Sequence, residues 1–179
     1  MKIKIISCYL IILILSFVIH AIKPSNHIYY SALPLLMLIF PIIAGYRVKL
    51  NFSGKDLSIG LVASFLILLP YYLFFGGNPA SITVPVVIFQ LLSVSFPEEF
   101  FFRGFLQDSM GRKHKGVLFV SLLFALAHLP KAIFYNEWMV LLSFFPSLVM
   151  GWLYMKTNNI LPGTIFHLLA NLAYLAQHG

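Results

Sequence analysis

Apolar residues recur along this chain in runs of about 18–25, each long enough to cross a bilayer as a helix. No other feature narrows the possible folds as much. With 60% of the 179 residues hydrophobic and 9% charged, the chain falls far below the roughly 25% charged residues of soluble domains. The expected fold is all-α, a polytopic membrane helix bundle of about seven transmembrane helices forming one domain over residues 1–179. No linker, low-complexity tail or internal repeat divides it. The net charge of +7 does not point to nucleic acid, because the basic residues are dispersed among loops rather than gathered in a patch. Cys8, the only cysteine, lies in the first apolar run, so an intramolecular disulfide is impossible.

The first run follows Met1-Lys2-Ile3-Lys4 and continues to about Ile22. It has the form of a signal peptide, but it is long and Ile19-His20-Ala21 makes a poor cleavage site, so a retained helix is expected. Further spans fall near residues 28–46, 57–75, 82–107, 117–129, 138–155 and 160–176. Pro34 and Pro41 are expected to kink the second, Pro97 to bend the fourth, and Pro130 to close the fifth. Residues 82–176 form the core that carries the motifs described below. Lys and Arg set the orientation. The N-terminus and the loops between spans 2–3, 4–5 and 6–7 carry nine of the twelve basic residues, and the opposite side carries only Lys23 and Lys131. This bias puts the N-terminus in the cytoplasm and the C-terminus outside a cell membrane.

Within the fourth span, Phe96-Pro97-Glu98-Glu99-Phe100-Phe101-Phe102-Arg103 holds two of the five acidic residues. Charges at membrane depth cost about 2.5–3.5 kcal/mol each on insertion scales and mark function by default. On a helix, Glu99 and Arg103 share a face and can pair, while Glu98 points about 100° away. A structural ion pair accounts for Glu99 and Arg103. Glu98 has no basic partner in its own helix. At about 1.5 Å of rise per residue, Glu98 lies roughly 15 Å from the cytoplasmic end of its span. His128 lies roughly 18 Å into the fifth, and His167 and Asn171 roughly 12 and 18 Å into the seventh. Each of these three, taken alone, is also explained as an interhelical hydrogen-bonding residue. Their common level argues for one site, expected to open toward the cytoplasmic half.

Two chemistries suit this set. Two His and a Glu can hold zinc with an open fourth position, although the HExxH helix that usually supplies such ligands is absent. In the metal-free alternative, the carboxylate paired with Arg103 stays ionised, and its desolvated, like-charged neighbour serves as general base for water. A nearby His orients that water, and donors from His167 and Asn171 stabilise an oxyanion. No serine or cysteine stands in a recognisable nucleophile motif.

The motifs resemble the CAAX-protease and bacteriocin-processing (CPBP, or Abi) family of intramembrane proteases. That family carries Glu-Glu-x-x-x-Arg, Phe-x-x-x-His and His-x-x-x-Asn on three membrane helices. Here these read Glu98-Glu99-Phe-Phe-Phe-Arg103, Phe124-Ala-Leu-Ala-His128 and His167-Leu-Leu-Ala-Asn171, with Gly104 in the place of a commonly found glycine. The resemblance covers roughly residues 93–171. It implies a glutamic endopeptidase in which Glu98 activates water with His128 assisting. His167 and Asn171 would form the oxyanion site, and Glu99 and Arg103 would support the geometry. No cofactor is implied, with a divalent metal such as zinc left open. The implied partner is a membrane-associated protein or peptide, as in sorting-tail or bacteriocin-related processing. The chain is one helix shorter than the larger prenyl-protein processing members, which weighs against a prenylated CAAX substrate. A non-catalytic immunity or adaptor protein remains an alternative, as does a proton-coupled transporter, which would be expected to show paired repeats that are not found.

Overall fold

The structure, a computed structural model, describes residues 2–178. Among these residues there is no strand, and helical elements follow one another through short connections. They are α1 (Lys2–Ile22), α2 (Ala32–Ile43, entered through a 3-10 turn), α3 (Gly54–Phe75), α4 (Val84–Met110), α5 (His114–Tyr135), α6 (Trp138–Thr157) and α7 (Leu161–His178). Five of them, α1 and α3 to α6, are long and apolar enough to cross a membrane, and Tyr29–Ile43 is apolar but shorter. The chain is a multi-pass membrane protein with an all-α bundle fold.

The bundle is built on α4. Phe101, Phe102, Phe105 and Leu106 are at most 1% exposed. They form one core with Tyr9 and Ile12 of α1, Met37 of α2, Phe124 of α5, Leu153 of α6 and Phe166 of α7. In lipid, burying apolar surface gives no hydrophobic gain between helices, so close packing must hold the core together. The aromatic rings supply it edge to face, with Phe102 and Phe124 centroids 4.9 Å apart and Tyr9 and Phe102 6.3 Å apart. Such pairs contribute about 0.5–1.5 kcal/mol beyond burial.

Two stretches of α4, Gln90–Ser95 and Phe100–Gln107, are wound as π-helix. These wide turns carry i→i+5 hydrogen bonds, are rare, and concentrate at functional sites. Pro97 is buried in the short α-turn Phe96–Glu99 between them. Wide turns thus flank the proline at which a bend was expected.

Helix α5 departs from expectation. It does not close at Pro130 but breaks at His128 (φ −88°, ψ −6°) and resumes as Leu129–Tyr135. Pro130 falls at the second position of the new segment, where a missing N–H leaves no intrahelical bond unmade. Helix α2 ends at Ile43, short of the expected residue 46. Gly45 takes φ +69°, and the N–H groups of Gly45 and Tyr46 donate to the carbonyls of Ile42 and Pro41, a glycine-terminated helix end. Pro34 lies in the first turn of α2, which leaves Pro41 as its interior proline.

Among the described residues, hydrogen bonds and ion pairs gather the connections into two groups. At one end of the bundle, Asn159 before α7 donates from Nδ2 to the carbonyl of Asn51 (2.6 Å) and accepts at Oδ1 from its N–H (3.2 Å). The Ile160 N–H donates to the Lys49 carbonyl, and Lys49 Nζ lies 3.4 Å from Asp108 at the end of α4. Tyr46 donates to the same carboxylate at 2.5 Å. Burial and then this bond hold the Tyr46 hydroxyl well above the usual phenol range, so it stays a donor. At the other end, Tyr30 and Tyr135 share a 2.7 Å hydrogen bond, and the Asn78 N–H donates to Ala176 near the end of α7.

Candidate active site

The site is built where α4 meets α6 and α7. Glu99 and Arg103 are both fully buried, one turn apart, with Arg103 Nε donating to Glu99 Oε2 at 3.2 Å. Arg103 Nη2 donates to Ser147 on α6 at 2.9 Å, and the guanidinium lies 5.3 Å from the centre of the Phe124 ring. A turn further along, Gln107 Nε2 donates to the Gly151 carbonyl at 2.8 Å. Residues 103 and 107 on α4 thus meet residues 147 and 151 on α6, each pair four apart on its own helix. This double contact fixes α4 in depth and rotation against α6. Neither Ser147 nor Gly151 was singled out by the sequence. The only trace of Ser147 is a hydroxyl in a largely apolar run that also holds Ser143.

His167 of α7 stands between the two carboxylates. Its Nδ1 lies 3.4 Å from Glu99 Oε1, and its Nε2 lies 3.8 Å from Glu98 Oε2. Glu98 is 18% exposed, His167 7% and Glu99 0% by side chain. Glu99 pairs with Arg103 as expected and Glu98 does not, but both carboxylates reach the same imidazole. Close approach of α7 depends on Gly163, one turn before His167, since a Cβ there would fall 2.6 Å from Glu99 Oε2. Among the described residues, Glu98 Oε2, Glu99 Oε1, Arg103 Nη1 and His167 Nδ1 are buried without a protein hydrogen-bond partner. Four such atoms around one point are unusual, because buried polar groups are nearly always paired.

His128 and Asn171 stand one contact further out. His128 Nδ1 donates to the Phe124 carbonyl at 2.9 Å. A carbonyl can only accept, so in the neutral ring Nε2 is the nitrogen with a free lone pair. The link from His128 to the carboxylates runs through the Phe124 ring, whose centre lies 5.0 Å from His128 and 5.7 Å from His167. Asn171 Nδ2 donates to Gln90 Oε1 on α4 at 3.0 Å. Gln90 was not singled out by the sequence. No three His, Cys, Asp or Glu side chains among the described residues are arranged to hold a metal ion.

Residues 80–173 match the family profile of the type II CAAX prenyl endopeptidase Rce1-like proteins, just over half of the 179 residues. The chain belongs to the Rce1-like family. That family is the CAAX-protease and bacteriocin-processing family that the three motifs resemble. The matched stretch includes all of α4, α5 and α6 and every motif residue from Glu98 to Asn171. At the level of the family, an Rce1-like chain of this kind is an intramembrane protease. No curated protein and no solved structure matches the chain.

Proposed function

We propose that the protein is an intramembrane endopeptidase in which Glu98 activates a water for attack on a peptide bond of a membrane-associated protein or peptide. The observation that carries this reading is the unequal treatment of two adjacent carboxylates. Glu99 is fully buried and bound by Arg103, whereas Glu98 is 18% exposed by side chain and makes no ion pair with Arg103, although both lie within 4 Å of His167 and each keeps an oxygen without a protein hydrogen-bond partner. The charge of Arg103 balances Glu99, and Glu98 is left to exchange a proton.

In this scheme a water bound at Glu98 loses a proton to the carboxylate as its oxygen bonds to the carbonyl carbon. The Nε2 lone pair of His128 accepts a hydrogen bond from the water's second O–H, which stays on the attacking oxygen, and so orients the attack. Negative charge develops on the carbonyl oxygen, where N–H donors of His167 and Asn171 stabilise it. Collapse of the intermediate breaks the C–N bond, and the proton held by Glu98 passes to the leaving amine, which restores the carboxylate. The scheme needs no metal. Sorting-tail or bacteriocin-related peptides suit such a site, reached within a cell membrane in which the N-terminus is cytoplasmic.

Purified protein in detergent, incubated with a panel of membrane-anchored peptides, tests the reading. Cleavage should persist with a strong chelator and vanish in Glu98→Gln. Absence of cleavage across the panel, with peptides still bound, would favour the adaptor alternative instead.

A further inference from the structure

We infer that Gln90 is a positioning residue for the oxyanion site, holding Asn171 so that its amide presents a donor to the reacting carbonyl. The inference rests on the glutamic-protease reading above and extends it to a residue outside the three motifs.

Local winding is what makes Gln90 available. In a regular α-helix, residues eight apart differ by about 80° around the axis, so Gln90 would miss the face that carries Glu98. The segment Gln90–Ser95 is π-wound. A wide turn takes in one extra residue, which reduces the effective separation to seven and the angle to about 20°. Gln90 and Glu98 then share the side of α4 that faces α7. Glu98 meets His167, and two turns of α4 earlier Gln90 meets Asn171, which is one turn beyond His167 on α7. Both side chains are partly buried, and the hydrogen bond is 3.0 Å long.

An asparagine amide can rotate by half a turn and exchange its NH₂ group for its oxygen. An oxygen turned toward a developing oxyanion would repel it, so the donor role assigned to Asn171 requires a fixed orientation. Gln90 favours that orientation in this arrangement, its Oε1 accepting one N–H of Nδ2. The second N–H on the same nitrogen is then held in a set direction. Gln90 itself reaches no reacting atom in this scheme and acts only through Asn171.

The test is a double-mutant cycle on the purified protein with a peptide it cleaves. Gln90→Leu removes the acceptor at similar size and should lower kcat about tenfold with KM unchanged, less than the roughly 10²–10³-fold expected for loss of an oxyanion donor. In an Asn171→Ala background the same change should have no further effect, because the group it positions is gone. Gln90→Asn, one methylene shorter, also withdraws the acceptor and serves the same cycle if the leucine variant folds poorly. Equal kcat losses from the Gln90 change in both backgrounds, or full activity of Gln90→Leu beside an impaired Asn171→Ala, would overturn the inference. Full activity of Asn171→Ala would instead overturn the oxyanion assignment on which it rests.

Discussion

Replacing each of the paired glutamates by glutamine should separate catalysis from folding. Glu99→Gln removes a charge that faces Arg103 Nε at 3.2 Å, with both side chains fully buried. Two unit charges about 4 Å apart attract by roughly 4 kcal/mol at an effective dielectric constant of about 20. Removing one partner of a buried pair costs about 3–5 kcal/mol, because the other charge stays buried without compensation. Arg103 keeps its bond to Ser147 and its place against Phe124, and glutamine still offers an acceptor, so the lower part of that range is expected. For a chain of this size, a loss of about 3–4 kcal/mol lowers the melting temperature by on the order of 10 °C. Glu98→Gln removes a carboxylate that makes no protein hydrogen bond through its buried oxygen and should cost less than about 1 kcal/mol. It should nevertheless abolish turnover, since loss of a general base typically costs about 10²–10⁴-fold. Thermal unfolding in detergent and peptide cleavage, measured on the same preparations, check both halves. A Glu98→Gln protein that cleaves normally, beside a stable but inactive Glu99→Gln, would reverse the two roles.

Four further outcomes are expected. Asn171→Ala should reduce kcat by about 10²–10³-fold with little change in KM, read from steady-state cleavage. Gly163→Ala forces a methyl group to within 2.6 Å of Glu99 Oε2. Overpacking of this kind costs about 1–3 kcal/mol, and the loss of thermal stability should shrink when Glu99 is also replaced by the smaller alanine. Prolonged chelation should leave the cleavage rate unchanged, and a loss restored by zinc would replace the water-only scheme with a metal-assisted one. A reporter fused after Gly179 should be active only outside the cytoplasm, and activity inside would reverse the assigned orientation.

The class of fold and the approximate place of each apolar run were legible in the sequence because both depend on local quantities, whereas the ends of the second and fifth helices were not. The length of an apolar run decides whether a segment can span a membrane, and polar breaks decide where it stops. The pairing of Glu99 with Arg103 was legible for the same reason, since four residues make one helical turn. Depth along the membrane also carries across helices, which is why residues 98, 128, 167 and 171 could be assigned to one level before any contact was known. Rotation about each helix axis is a different matter. It is set by what packs on all sides at once, and a change in winding shifts it without altering the spacing of the letters. Only the tertiary structure therefore shows that the π-turns of α4 carry Gln90 round to Asn171, that Ser147 and Gly151 hold Arg103 and Gln107, and that Gly163 clears room for Glu99. The same holds for His128. The sequence placed it at the level of the site, but the break in α5 and the bond to the Phe124 carbonyl decide which of its nitrogens is free to act.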